Sequence, residues 1–203
     1  ANIAIRELVP HGQFYAQGRR VTVDQVDPAL NQPEHWRFCP DCSFACKSTD
    51  PEYTHSECPR CHTTAFADTG QIHVMARLSQ VQATTEDSAS RISDDRDERN
   101  PNFFRRELLI TPEHNRREIT LASTDESFPF GAEYLAGTTF REINFGENAG
   151  VGGHQIAGQQ LAVHGFDLCS NCGKVQGNRN PNHNHTWSCR YRDRPANEAP
   201  LKH

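Results

Sequence analysis

The sequence is short of apolar residues and contains no long apolar run. Apolar side chains make up 35 % of its 203 positions, a low share for a globular domain, so we do not expect one large apolar core. A membrane-spanning helix needs about 18 consecutive apolar residues, and no such stretch is present. We therefore expect no membrane contact, and we expect something besides apolar burial to help hold the chain together.

The sequence also lacks an initiating methionine and a secretory signal. It begins "ANIAIRELVP", without the charged, apolar and small-residue regions of a signal peptide. We interpret the chain as a piece of a larger protein and predict a cytoplasmic location. In that reducing compartment, paired cysteines usually bind metal and seldom form disulfides.

The motifs of common active sites are missing as well. There is no Gly-Lys-Ser/Thr motif, no H-E-x-x-H and no G-x-S-x-G. His55-Ser56-Glu57 matches the H-x-E motif of zinc deaminases, but Cys58 follows at once and no proline precedes that cysteine. The sequence therefore predicts no independent active site in this fragment and leaves open whether the parent protein is an enzyme.

Lysine is scarce, and charge is unevenly placed. Only three lysines stand beside 18 arginines, a bias that suits bidentate contacts to phosphate or carboxylate or that reflects a GC-rich genome. The net charge of −5 argues against a general nucleic-acid binder. However, residues 82–98 carry six acids against two arginines, whereas residues 173–203 carry six bases against two acids.

Short runs of β-branched and aromatic residues predict a mainly β fold with few short helices, of the α+β class. Residues 13–27 predict a hairpin around Gly18, and alternating apolar residues from Ile72 to Leu78 predict one face of a strand. A helical turn is expected near "GAEYLAG". We predict three regions: a β-hairpin and zinc-ribbon region over 1–83, an acidic linker or loop over 84–102, and a β-rich region with a C-terminal zinc-binding module over 103–203.

What the chain does have is cysteine, eight in all, mostly in two modules. The first consists of two C-x2-C pairs separated by 15 residues, namely Cys39 with Cys42 and Cys58 with Cys61. Two-residue spacing turns both thiolates of a pair to one side of a tight turn, and two such turns form the tetrahedral cage that Zn²⁺ prefers. The pattern predicts a zinc ribbon with a closed, structural site.

Three further residues near this module could compete as ligands. Cys46, four residues past Cys42, could swap in as a ligand, but we favour a small buried thiol at this position. His55 and His62 are also near, but four thiolates already complete the coordination shell.

The second module is "GFDLCSNCGKVQGNRNPNHNHTWSC". Cys169, Cys172, His185 and Cys189 would form a second zinc site, with His183 as the rival for the fourth position. The spacing mimics a DNA-reading zinc finger, but the stretch that would have to be helical is full of Gly, Asn and Pro. We therefore predict a loop-rich zinc clip on a β-sheet and two Zn²⁺ ions per chain.

The order of these motifs resembles the MrfA-type zinc-binding domain, which lies C-terminal to the motor of superfamily 2 DEAD/DEAH-type helicases. The quoted segments that carry the resemblance are "RELVPHGQFYAQGRRVTV", "WRFCPDC", "CPRC", "FREINFG", "GFDLCSNCGKVQ" and "HTWSC". Similar domains occur in anti-phage defence helicases of the Druantia and DISARM kinds. The resemblance implies a domain attached to an ATP-dependent DNA helicase or translocase, with Cys169, Cys172, Cys189 and His185 as metal ligands. The ATPase would then lie outside this piece.

Two main functions follow as hypotheses. In the first, the chain is an accessory domain that contacts DNA or supports the helicase core of the same parent chain. Arg190, Arg192 and Arg194 alternate and, on a strand, would share one face and bind phosphates. In the second, it is a scaffold that docks a protein partner subunit, which its overall acidity favours. An independent metalloenzyme would need a zinc with a water ligand, and neither module predicts one.

Overall fold

The structure is a computed structural model with a mainly β fold, as the sequence predicts. It describes residues 4–29, 33–85, 104–113, 118–122, 124, 127, 130–147, 153–162, 165–176 and 185–192. The strands are β1 Gln13–Ala16, β2 Arg19–Val26, β3 Pro33–Phe38, β4 Ala45–Lys47, β5 Ile72–Ala76, β6 Val81–Thr84, β7 Phe104–Pro112, β8 Glu118–Ala122, β9 Gly131–Leu135, β10 Thr138–Glu147, β11 His154–Ile156 and β12 Gln159–Leu161. The described helical segments are α1 Ala4–Glu7 and the 3-10 turns Pro51–Thr54, Thr64–Ala67 and Thr69–Gln71.

The predicted hairpin around Gly18 is confirmed. β1 and β2 pair antiparallel, and the two residues between them, Gln17 and Gly18, have φ angles of 52° and 73°. Two central residues with positive φ give the tight turn whose twist matches that of the flanking strands. β6 then pairs with the other edge of β2 and completes a three-stranded sheet in the order β1-β2-β6.

A second three-stranded sheet carries the first cysteine module. β3 lies at its centre, between β4 and β5, so that the sheet order is β4-β3-β5. The predicted strand from Ile72 is present, but it ends at Ala76, and Leu78 lies beyond it with 36 % of its surface exposed. The expected apolar face is therefore shorter than predicted: β5 pairs with β3 from Ile72 opposite Arg37 to Ala76 opposite Pro33.

The helical turn expected near "GAEYLAG" is wrong. Gly131–Leu135 forms β9, which pairs with β8 in continuous antiparallel register from Gly131 opposite Ala122 to Leu135 opposite Glu118. The hydrogen bonds offered by β8 outweigh the local helix preference of Ala, Glu and Leu, because such preferences are worth only tenths of a kcal/mol per residue.

The main apolar core is small and joins residues from distant parts of the chain. Its buried members are Trp36, Phe38, Ala45, Leu109, Ile143, Phe145, Ile156 and Leu161. The first three lie in the β4-β3-β5 sheet that carries the first cysteine module, and the others lie in β7, β10, β11 and β12. β7 is fixed against the ribbon by the Ile110 N–H, which donates to the Ser43 carbonyl at 2.8 Å, and by Thr111 Oγ1, which donates to the Ala45 carbonyl at 2.6 Å.

The division into regions 1–83, 84–102 and 103–203 stays a prediction. Most of the predicted acidic linker, residues 86–102, lies outside the described residues. Among the described helices, none has the length and apolar character needed to cross a membrane.

Candidate metal centres

Three short turns, each with a cysteine at its first and last position, share one backbone hydrogen-bond pattern. In the first knuckle, Cys39–Cys42, the Cys39 N–H donates to the Phe44 carbonyl at 2.9 Å. The second knuckle, Cys58–Cys61, and the clip knuckle, Cys169–Cys172, have the same bond. In each, the N–H of the first cysteine donates to the carbonyl five residues later, that of Thr63 at 3.0 Å and that of Lys174 at 2.9 Å. The bond closes each turn so that both sulfurs point to the same side, which is the geometry that C-x2-C spacing predicts.

The residue after two of these knuckles has a left-handed conformation. His62 and Gly173 have φ angles of 62° and 70°, and the N–H of each donates to the first cysteine of its turn, at 2.9 Å and 2.7 Å. Gly is the residue that adopts this conformation without strain, and His does so less readily. His62 therefore occupies a turn position and does not belong to the ligand cluster, as predicted.

The first candidate centre, the ribbon site, brings together Cys39, Cys42, Cys58 and Cys61. Their sulfur atoms lie within 4.8 Å of one another. The Sγ–Sγ distances are 3.5 Å between Cys39 and Cys61 and 3.7 Å between Cys42 and Cys58. Four Zn–S bonds of about 2.3 Å in a tetrahedron require sulfurs about 3.8 Å apart, so the cage fits a zinc ion.

The acid–base properties of this cage also favour a cation. Hydrogen bonds from the thiols of Cys39 and Cys42 lower the pKa of Cys58 to about 2, whereas hydrogen bonds with Cys39 and Cys58 raise the pKa of Cys42. Neighbouring sulfurs thus compete for negative charge, and four thiolates can coexist only if a cation neutralises them. A bound Zn²⁺ would provide that charge.

Cys46 is not part of the ribbon site. It is fully buried in the small cluster formed by Phe44, Phe66 and the ribbon cysteines, and the described metal-ligand cluster excludes it. Burial, together with the nearby carboxylates of Asp50 and Glu52, raises the pKa of Cys46 to about 12. The predicted small buried thiol is therefore confirmed.

The second candidate centre, the clip site, brings together Cys169, Cys172, His185 and Cys189, with ligand atoms within 4.8 Å. The Cys169 and Cys189 sulfurs are 3.7 Å apart, and His185 Nδ1 lies 3.8 Å from the Cys172 sulfur and 3.5 Å from that of Cys189. These distances fit a tetrahedron with three sulfurs and one imidazole nitrogen. The rival ligand His183 lies outside the described residues.

Burial and hydrogen bonds act against each other at Cys172. Burial raises its pKa, but backbone N–H groups near Thr186 and Lys174, and the imidazole of His185, lower it to about 6. A thiolate at neutral pH is the form that ligates zinc. The two tetrads therefore fit two zinc ions, and since each has four protein ligands, neither leaves a position for a reacting water.

The clip site is fixed to β2, far away in sequence. The Val26 N–H donates to the Gly173 carbonyl at 2.9 Å, and Gln25 Nε2 donates to the Cys172 carbonyl at 2.8 Å. Lys174 forms an ion pair with Asp24. Because β2 binds the candidate ligand Cys172 and the two residues that follow it, the clip is attached to the first sheet.

The expectation that Arg190, Arg192 and Arg194 share one strand face is not met by the described residues. Residues 190–192 form a turn, in which the Arg192 N–H donates to the Cys189 carbonyl at 3.1 Å, and Arg194 lies outside the described residues. Short-range turn bonds that begin at a metal ligand prevent an extended conformation here. The two described arginines stack on aromatic rings: Arg192 Cζ lies 3.4 Å from the Trp187 ring centroid, and Arg190 Cζ lies 4.6 Å from that of Tyr191.

Trp187 is the residue that the sequence reasoning missed. It lies between the two clip ligands His185 and Cys189, and 81 % of its surface is exposed. The sequence does show a tryptophan between two candidate ligands, with arginines three and five residues later. Such a mixture of aromatic and basic residues is typical of nucleic-acid contacts.

Comparisons with known proteins identify no relative of this chain. It matches no protein-family model, no curated protein and no solved structure.

Proposed function

We propose that the chain is a zinc-stabilised accessory domain of a larger, cytoplasmic, ATP-dependent DNA helicase or translocase. In this proposal two structural zinc ions shape the domain, and the domain contacts nucleic acid or supports the motor during DNA repair or phage defence. The motor would be the helicase core of the same parent chain, of the superfamily 2 type that the sequence resembles.

The observation that carries the proposal is the pair of closed tetrads. Each has four protein ligands within 4.8 Å, as in sites where zinc stabilises shape, and catalytic zinc usually keeps one open position. Closed metal sites of this kind support a function based on binding. The clip site has two described arginines within three residues of its last ligand, which supports contact with an anion such as the DNA backbone.

Titration of labelled DNA with the zinc-loaded chain tests this proposal. Fluorescence anisotropy with a 20-nucleotide strand and with its duplex is measured between about 50 mM and about 200 mM salt. We expect binding that weakens as salt rises, because each phosphate contact releases counterions. Absence of binding to both DNAs at the lowest salt would remove nucleic-acid contact from the proposal. ATPase motifs in the parent protein, N-terminal to this piece, would support the helicase assignment, and their absence would contradict it.

A second candidate function is protein docking with structural zinc and without nucleic-acid binding. The observation in its favour is a group of exposed apolar side chains near the β8–β9 hairpin: Leu121, Tyr134 and Phe140 are 65 %, 60 % and 67 % exposed. They line one concave surface together with Ile110 and Thr138. Monomeric proteins seldom expose apolar side chains in contiguous groups unless the surface binds something. This function requires that a protein partner subunit bind the chain, that substitution of Phe140 weaken this binding, and that the chain bind no DNA at low salt.

A further inference from the structure

The clip site presents an unusual aromatic side chain. Trp187 is the most exposed of the large apolar residues in the described part of the chain, at 81 %. Tryptophan is normally among the more buried residues because its large ring gains most from leaving water. Its backbone is fixed nonetheless, since it lies between two ligands and the Cys189 N–H donates to the Thr186 carbonyl at 3.0 Å. A turn between two candidate ligands therefore presents an exposed indole ring to solvent.

Arg192 fixes the ring and covers one of its faces. Its guanidinium carbon lies 3.4 Å from the ring centroid, the distance of a stacked cation–π contact. With one face under Arg192 and most of the residue exposed, the opposite face is open to a second flat group. A cation on one face also favours an electron-rich, anionic ligand on the other side.

Two arginines follow Trp187 closely in the described part of the clip. Residues 185–192 include Arg190 and Arg192 and no acidic residue. Arg190 stacks on Tyr191, so the same turn carries a second cation–aromatic pair. The Arg190 backbone N–H donates to the Asn171 side chain at 3.0 Å, which attaches this turn to the clip knuckle. An apolar protein partner would gain little from two arginines, whereas a nucleic-acid strand offers a flat base and a phosphate on either side of it.

We propose that the open face of Trp187 stacks on one unpaired nucleobase while Arg190 and Arg192 contact the flanking phosphates. This inference rests on the proposed nucleic-acid contact and specifies the kind of DNA: the clip prefers single-stranded over double-stranded DNA. Bases in a duplex are already stacked on their neighbours, so a tryptophan face reaches one only where the strand is unpaired. Stacking is tolerant of sequence because every base has a flat face.

The chain's two tryptophans allow a direct test. Trp36 is 6 % exposed in the core, so quenching of fluorescence by an added strand reports on Trp187. The probes are an oligothymidylate, a strand of equal length and charge with abasic sites, and a duplex. We expect the oligothymidylate to quench and to bind most tightly. Replacing Trp187 with Ala should weaken its binding about 5-fold to about 100-fold, the effect of losing one stacked base.

Matched variants separate stacking from other causes. Trp187→Phe keeps a flat ring and should retain most of the affinity. Phe130→Ala removes another exposed aromatic, 63 % exposed just before β9, and should leave DNA binding unchanged. Trp187→Ala should leave the slope of log affinity against log salt concentration unchanged. Arg192→Ala should reduce the size of that slope by about 1, the effect of losing one phosphate contact. Zinc content is measured for every variant to confirm an intact clip.

The outcomes for the two proposals differ. If the unsubstituted chain binds none of the DNA probes at low salt, nucleic-acid contact and the stacking inference both fail. If it binds, but abasic and base-bearing strands bind equally and Trp187→Ala has no effect, the stacking inference fails while DNA contact stands. Equal loss of strand and duplex binding in Trp187→Ala would overturn the single-strand preference.

Discussion

Arg60, inside the second knuckle, forms an ion pair with Glu133 of β9, 73 residues further along the chain. The same guanidinium donates from Nη1 to Ser43 Oγ at 2.9 Å, and Ser43 directly follows the first knuckle. One side chain thus connects both halves of the ribbon site to the β8–β9 hairpin. The Glu133 carboxylate raises the pKa of Arg60 further above its already high ordinary value.

The first prediction concerns this ion pair. The side chains of Arg60 and Glu133 are only 26 % and 25 % exposed, so we expect a contribution near the upper end of the range for partly exposed pairs. Glu133→Gln should lower the free energy of unfolding by about 0.5–1 kcal/mol, measured by urea denaturation. A double-mutant cycle with Arg60→Ala should give a coupling energy of similar size that shrinks at high salt. A coupling energy of zero would mean that the contact does not stabilise the fold.

The second prediction concerns zinc and thiol content. Elemental analysis of the reduced chain should find two zinc ions, and a thiol reagent should react with almost no cysteine, because seven are ligands and Cys46 is a buried thiol with a pKa of about 12. Cys58→Ser should reduce the zinc content to one and cause a large loss of stability. Cys46→Ala is the matched control and should retain both ions. Loss of zinc from Cys46→Ala would place this thiol in the coordination shell.

The third prediction concerns the imidazole ligand of the clip. His185→Ala should remove the clip zinc and leave the ribbon zinc, whereas His185→Cys should retain both, because thiolate is an equally suitable zinc ligand. His183→Ala, at the rival position, should have no effect on zinc content. The opposite result, with loss only in His183→Ala, would exchange the two assignments. Cobalt substitution followed by absorption spectroscopy checks the ligand set, since the intensity of the d–d bands reports tetrahedral geometry.

The fourth prediction compares two glycines with nearly equal φ angles. Gly18 and Gly173 have φ angles of 73° and 70°, but a Cβ at Gly18 would meet nothing within 4 Å, whereas a Cβ at Gly173 would lie 1.6 Å from the Val26 carbonyl oxygen. Gly18→Ala should therefore cost only the left-handed strain, about 1–2 kcal/mol. Gly173→Ala should cost about 3 kcal/mol or more, because it also separates the clip from β2. Similar losses in thermal denaturation would contradict the close approach.

Short-range features of the sequence predicted most of the candidate metal sites. The spacing within a knuckle sets which sulfurs share a side, so Cys39 and Cys42 could be grouped without knowledge of the fold. The hairpin at Gly18 was predictable for the same reason, since a tight turn depends on its own residues. Such features need only local geometry.

Features that depend on distant partners were not predictable. β9 is a strand because β8 lies beside it, and its own residues do not distinguish a strand from a helical turn. The Arg60–Glu133 pair and the docking of Gly173 on Val26 likewise join residues whose proximity no spacing rule encodes. The turn at Arg190–Arg192 was missed because a nearby metal ligand, not strand propensity, decides its backbone.

The attachment of the clip to β2 has a consequence for the order in which the protein assembles on the ribosome. The ribbon ligands are close in sequence, since Cys61 lies 22 positions after Cys39, so this site can close soon after Cys61 is synthesised. Gln25, by contrast, binds the carbonyl of Cys172, which is synthesised 147 positions later. Until then an edge of the first sheet is exposed, and unpaired edges of this kind are where nascent chains associate wrongly. Closure of the clip thus comes long after the first sheet's own strands are made, and it covers that edge of the sheet.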